Sequence, residues 1–190
     1  MNNQFSLTDK NIIITGASSG IGKQCAISCS QMGANVVLIA RNEERLKETC
    51  NLLDKGNHLY FSQDITEYDK IESIISEIVS KLGKIHGFIH SAGLEVTLPL
   101  KMMKPEYYEN LFSINVISGF EFARIISQKK YFDSNGASFV FIASVRGFLG
   151  EPEAIGYCSS KGALISGVKV MALELINRNI RVNCVSPAIV

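Results

Sequence analysis

Asn11-Ile12-Ile13-Ile14-Thr15-Gly16-Ala17-Ser18-Ser19-Gly20-Ile21-Gly22 passes within one stretch from continuously apolar to glycine-rich. The β-branched run Ile12, Ile13 and Ile14 is what a strand buried on both faces of a parallel sheet requires. Gly16, Gly20 and Gly22 then let the backbone turn sharply and approach a ligand closely, while Ser18 and Ser19 add hydroxyls at a helix start. Unpaired amides and the helix dipole at such a turn favour an anion, a phosphate above all. The stretch predicts strand, turn and helix in that order. A plain glycine turn is the alternative that other positions have to exclude.

Apolar runs recur at 11–15, 35–40, 58–61, 87–90, 138–143 and 181–185, separated by segments of helical periodicity. That alternation predicts an α/β protein with parallel strands between two layers of helices. Helices are expected at 22–32, 43–53 and 69–82, ending near Gly33, Gly56 and Gly83, where left-handed caps are wanted. In the third, Ile71, Ile74, Ile75, Ile78, Val79 and Leu82 form one core-facing stripe. Pro105 opens a long amphipathic segment reaching about Lys130, and another helix is expected at 155–177.

With 190 residues, 46% hydrophobic and 19% charged, the chain has the length of one well-buried domain, 1–190, and shows no repeat or linker. A formal net charge of +1 gives no support for nucleic acid or a membrane surface as partner. No apolar run is long enough to span a bilayer and the N-terminus lacks a signal-peptide layout, so a cytoplasmic location is expected. Cys25, Cys29, Cys50, Cys158 and Cys184 form no C-x-x-C pair and have no histidines spaced to complete a metal site. They are expected to be buried free thiols.

Thr15-Gly16 followed by Gly20-Ile21-Gly22 resembles the cofactor loop of the short-chain dehydrogenase/reductase family, and later positions extend the resemblance. Tyr157 and Lys161 in Y-x-x-x-K stand one turn apart on a helix, so both can point into one pocket. Ser144 closes the fifth expected strand, where it can hydrogen-bond a substrate oxygen. A tyrosine is protonated at neutral pH, and a nearby ammonium eases proton exchange. Ala92 and Gly93 match the last two residues of the family's N-N-A-G, whereas His90 and Ser91 depart from it; His90 reads as structural. The family's P-G is Pro187-Ala188 here.

As an ordered set, these motifs are most similar to the 3-oxoacyl-[acyl-carrier-protein] reductase-like members. The resemblance implies a Rossmann-type doubly wound sheet, a nicotinamide cofactor and reduction of a carbonyl or oxidation of an alcohol. The catalytic set it implies is Asn115, Ser144, Tyr157 and Lys161, with Asn115 holding a proton-relay water. Cofactor contacts are implied at Gly16, Ser18, Ser19, Gly20, Ile21, Gly22, Asp64, Ile65, Ala92, Gly93, Tyr157, Lys161, Pro187 and Val190. Arg41, with Asn42 beside it, stands where the second strand chooses between cofactors, and its forked cation suits a 2′-phosphate, favouring NADP with NAD as the alternative. An arginine merely starting a helix, and an Asp64 merely capping a turn, are the competing readings.

The substrate is expected to be a small carbonyl or alcohol, with a 3-oxoacyl thioester as the nearest named case. Glu95, Val96, Arg146, Phe148, Leu149 and Glu151 are expected to edge its pocket. Leu98, Met102 and Met103 either add apolar surface to it or pack locally. Lys129, Lys130 and Arg178 offer charge to an acyl carrier protein. The two long helices imply a homodimer or homotetramer, unless they only cover the sheet. Family members continue past a sixth strand, so this chain is expected to lack the substrate-covering segment and last strand. A non-catalytic nucleotide-binding scaffold is the alternative for a chain complete at Val190, and the intact Ser144, Tyr157 and Lys161 set argues against it.

Overall fold

The computed structural model describes residues 5–188. Strands and helices alternate as β1 (Asn11–Thr15), α1 (Gly20–Gln31), β2 (Asn35–Ala40), α2 (Glu43–Cys50), β3 (Leu59–Ser62), α3 (Tyr68–Leu82), β4 (Gly87–His90), α4 (Pro105–Phe112), α5 (Ser118–Ile126), β5 (Ala137–Ile142), α6 (Ile155–Leu175) and β6 (Ile180–Val185). All six strands are parallel, in the order β3-β2-β1-β4-β5-β6. The expected doubly wound, Rossmann-type α/β sheet is therefore what the chain forms. Strand order reverses between β1 and β4, which opens a crevice beyond their C-terminal ends.

Alternation along the strands divides the core between the two faces. Ile12, Ile14, Val36 and Leu38 pack with Ala26 of α1 and Leu46 of α2. Their neighbours Ile13, Val37 and Ile39 join Phe88, Phe139 and Phe141 under α3, α5 and α6. Phe88 stacks on Phe122 of α5 at 5.6 Å and meets Phe139 and Phe141 edge-on, each at 5.9 Å. These rings dock α5 on the sheet, and with it the turn that precedes it.

Element boundaries differ from expectation where side chains replace backbone pairing. His58 stands outside β3; its Nδ1 accepts from the Val36 amide at 3.0 Å while Nε2 bonds the Asp54 carbonyl at 2.7 Å. Helix α2 ends at Cys50, well before Gly56, and Gly56 is not left-handed, whereas Gly33 (φ 93°) and Gly83 (φ 86°) are. The segment from Pro105 is not one helix. A π-helical turn, Ser113–Ile117, separates α4 from α5, and α5 stops at Ile126. Such a turn inserts one residue into the helical ladder and re-aims its side chains. The five thiols are free and only partly buried. Among the described residues no helix is long and apolar enough to cross a membrane, and no His, Cys, Asp and Glu cluster is arranged to hold a metal ion.

Candidate active site

A cleft of about 720 Å³ lies along the C-terminal ends of the strands. Its floor is the β1–α1 turn. Gly16 has φ +70°, and a Cβ there would sit 2.7 Å from the Ala92 backbone, so β1 and β4 approach more closely than any side chain permits. A Cβ on Gly22 would fall 2.3 Å from the Gly16 carbonyl oxygen, which ties the first turn of α1 to the loop. Ser19 is the N-cap of α1 but makes no side-chain cap bond, and with Ser18, Gly20 and Ile21 it lines the cleft. The glycine loop thus presents a helix N-terminus without a capping side chain to the space where the sequence placed a phosphate.

At one end the cleft is lined by Arg41, Asn42, Arg45, Gln63, Asp64 and Ile65. Asn42 caps α2, its Oδ1 accepting from the Arg45 amide at 2.9 Å, so only its amide group is left for a ligand. Asp64 caps a turn and also borders the cleft. Its Oδ1 accepts from Thr66 N–H at 2.9 Å and Thr66 Oγ1 at 2.8 Å, while the residue borders the cleft. The two Thr66 bonds, with Arg41 nearby, hold the Asp64 carboxyl below the usual carboxylate range. Arg45 escaped the sequence reading. Its signal was there, one helical turn after Arg41 on the first turn of α2, which gives two guanidinium groups to one site.

The cleft then passes Ser91, Ala92 and Gly93. Beneath them Thr15 Oγ1 accepts from the Ala92 amide at 3.4 Å and bonds His90 Nδ1 at 2.9 Å. His90 is 1% exposed and lies under the cleft, as a structural residue would. Asn115 sits in the π-helical turn, fully buried. It accepts from Leu94 N–H at 2.7 Å, donates to Leu94 O at 2.9 Å and donates to Ser160 Oγ at 2.9 Å. Its side chain is thus engaged in holding the loop after Gly93 against α6.

Ser144, Tyr157 and Lys161 converge on the other end of the cleft. The strand β5 stops at Ile142, and Ser144 instead caps a short 3₁₀ turn, its Oγ accepting from Arg146 N–H at 3.2 Å. Lys161 is 4% exposed; its Nζ donates to the Ile142 carbonyl at 2.8 Å and lies 5.6 Å from the Tyr157 ring centre. Burial pulls the Lys161 ammonium down to about 8. Burial also pushes the Tyr157 phenol above its ordinary value, against a Ser144 hydrogen bond and the Arg146 charge that lower it. The expected easing of the tyrosine by Lys161 is not among the influences that set this shift, and desolvation is the largest of them.

Of the residues expected to edge a substrate pocket, Glu95 lines the cleft; Phe148 (66% exposed) and Leu149 (64%) lie outside it. Pro187 lines it as expected, together with Ala188, while the contact expected at Val190 falls outside the described residues.

The sequence pattern of the family described as short chain dehydrogenase matches residues 10–190. The chain belongs to the short-chain dehydrogenase family. It is accordingly an NAD(P)-dependent oxidoreductase acting on alcohol and carbonyl groups. An NAD-dependent glycerol dehydrogenase of Listeria innocua is 32% identical over 186 residues, covering 98% of this chain and 72% of the relative. A 3-oxoacyl-[acyl-carrier-protein] reductase of Thermotoga maritima is 32% identical over 188 residues, covering 97% and 75%. A short-chain dehydrogenase of Shigella flexneri, solved with NADP, superposes with a TM-score of 0.88 at 29% identity, covering 98% of this chain and 80% of that one.

Proposed function

We propose that this short-chain dehydrogenase uses NADP and that Ser144, Tyr157 and Lys161 carry the reaction on a small carbonyl or alcohol. The observation that carries the reading is that these three side chains meet at one end of the cleft whose other end holds Arg41 and Arg45. The two arginines would hold the 2′-phosphate, the β1–α1 turn the pyrophosphate, and Lys161 the nicotinamide ribose. When bound, the nicotinamide supplies or accepts a hydride.

Tyr157 does the proton work. With its pKa raised, the phenol is protonated at neutral pH and donates its proton to the carbonyl oxygen in reduction. Ser144 orients that oxygen by a hydrogen bond. Asn115 fixes Leu94 and Ser160 around Lys161, and the relay of protons to Lys161 runs through this part of the site.

A 3-oxoacyl thioester is a second reading, supported by the Thermotoga relative. Lys129, Lys130 and Arg178 lend it no docking surface at the cleft. They precede β5 and β6, at the opposite end of the sheet, and Lys130 is paired with Glu72 while Arg178 bonds the Ser127 carbonyl. Exposed Ile117, Val170, Leu173 and Ile176 support a homodimer or homotetramer formed through the helices around α5 and α6.

Titration of the purified protein with NADPH and NADH, followed by the cofactor's own fluorescence, tests the reading. Binding of NADPH at least about tenfold tighter than NADH is expected, followed by NADPH consumption on a panel of small ketones. Tighter binding of NADH would move the cofactor assignment to NAD, and binding of neither overturns the reading.

A further inference from the structure

The mouth of the cleft beside Tyr157 carries a charge arrangement that the hydride chemistry does not need. Glu95 follows β4, Glu151 follows the 3₁₀ turn Val145–Gly147, and Arg146 bridges them, Nη1 to Glu95 Oε1 and Nε to Glu151 Oε2. The same guanidinium lies over the Tyr157 ring, its Cζ 5.8 Å from the ring centre. A backbone bond from Leu98 N–H to the Glu153 carbonyl, 2.7 Å long, ties the two loops again. One arginine between two glutamates leaves the cluster with a net negative charge. It also leaves Glu95 Oε2 without a hydrogen-bond partner among the described residues, on a side chain that is 44% exposed and borders the cleft.

The surroundings narrow what that oxygen would meet. The cleft that holds Tyr157 and Ser144 is lined as well by Ser91, Leu94 and Glu95, and the large apolar Phe148 and Leu149 stay outside it. A hydroxyl donating to a carboxylate forms a charge-assisted bond, roughly twice as strong as a neutral one. A substrate carboxylate would meet an arginine already shared by two glutamates and a like charge on Glu95. An unadorned alkyl chain would offer the free Glu95 oxygen no donor.

We propose that Glu95 is a substrate-binding residue whose free oxygen accepts a hydrogen bond from a hydroxyl next to the reacting carbon. Arg146 and Glu151 are positioning residues that hold it there. The substrate class is a neutral polyhydroxy compound, an alditol in the oxidative direction and a ketose or aldose in the reductive one. The inference rests on the placement of the reacting carbon at Tyr157.

The test compares NADP-dependent oxidation of C3 to C6 alditols, butan-2-ol, which has no hydroxyl next to the reacting carbon, and four-carbon aldonates by the wild-type chain and by Glu95→Gln. For the wild type, at least one alditol is expected to exceed both other classes in kcat/KM. In Glu95→Gln the alditol-to-butan-2-ol ratio of kcat/KM falls about 10- to 100-fold, mainly through KM, and the aldonates gain relative to the alditols. A loop-holding role alone would lower all three classes together, and that result overturns the proposal. So does a wild type that prefers butan-2-ol or an aldonate. Failure of the underlying reading looks different: NADPH then fails to bind, or binds with no turnover of any alcohol or ketone, and the proposal falls with it.

Discussion

Thr15 Oγ1 and His90 Nδ1 lie 2.9 Å apart, at positions that β1 and β4 place side by side in register. Thr15 Oγ1 also accepts from the Ala92 amide, and with one proton and two lone pairs it can pair with either tautomer of His90 at Nδ1. The other ring nitrogen, Nε2, is the one buried side-chain nitrogen or oxygen among the described residues with no hydrogen-bond partner. Burial, reinforced by Lys161, pushes the His90 pKa down to about 3, although the Ile114 and Asn115 carbonyls pull the other way.

A pH dependence of stability follows. Between its ordinary value near 6.5 and about 3, His90 takes up a proton in the unfolded chain but not in the folded one. The unfolded state then binds more protons, so stability rises with pH across that window and is lost as pH falls through it. At about 1.4 kcal/mol per pH unit, the loss from pH 7 to pH 4 that is due to His90 is roughly 3 kcal/mol. Denaturant unfolding of wild type and His90→Asn at both pH values measures it. The wild type is expected to lose that much more than the variant, and parallel pH slopes would show that His90 is not held neutral.

Tyr157→Phe removes the phenol proton and little else, because the ring still packs beside Lys161 and Arg146. Loss of a positioned proton donor lowers kcat by about 10²- to 10⁴-fold. NADPH affinity, measured by fluorescence titration, is expected to stay within about twofold. A variant that retains wild-type kcat takes Tyr157 out of the mechanism.

The fold was legible because its signals are repeated and local. Ile12–Ile14, Val36–Ile39 and the phenylalanine-bearing β4 and β5 are apolar runs that only a sheet covered on both faces can bury. The site was legible where chemistry needs fixed spacing, as with Tyr157 and Lys161 on α6 or the glycines of the β1–α1 turn. Less legible was what tertiary packing decides. Asn115 sits amid residues with ordinary helical spacing, and the π-helical turn around it depends on its three bonds to Leu94 and Ser160. Phe148 and Leu149 follow Ser144 closely, yet the short turn that Ser144 caps carries them out of the cleft. Arg45 was hidden differently, as an ordinary helix-face arginine until α2 was placed against the cleft.

The proposed 2′-phosphate site rests on two residues, Arg41 and Arg45, which line the same end of the cleft. A forked cation paired with a phosphate contributes about 1.5–3 kcal/mol, so Arg41→Asp is expected to weaken NADPH binding about 10- to 100-fold. NADH binding should change less, since the new carboxylate can meet ribose hydroxyls. Arg45→Gln is expected to weaken NADPH by a smaller factor, and the double variant by about the product of the two if the guanidinium groups act independently. Titrations of all three variants with both cofactors check this. An unchanged NADPH preference in the double variant would place the phosphate elsewhere.

Asn115 is the most exacting position in the site because its carboxamide serves as donor and acceptor at once. Asn115→Ala takes the side-chain partner from the Leu94 amide and carbonyl beside a fully buried position, while Ser160 Oγ keeps its bond to the Tyr157 carbonyl. Each buried group left unpaired costs about 1–3 kcal/mol, so a loss of roughly 2–4 kcal/mol in unfolding free energy is expected after partial relaxation. Asn115→Asp separates the two halves of the role. The isosteric carboxyl can still accept from Leu94 N–H but no longer donates as an amide, and ionising it in this buried place is opposed by desolvation. Its stability is therefore expected to fall as pH rises, whereas that of Asn115→Ala follows the wild-type pH curve. Unfolding measured at pH 5 and pH 8 distinguishes them, and identical curves for the two variants would mean that the turn can relax to admit water at this site.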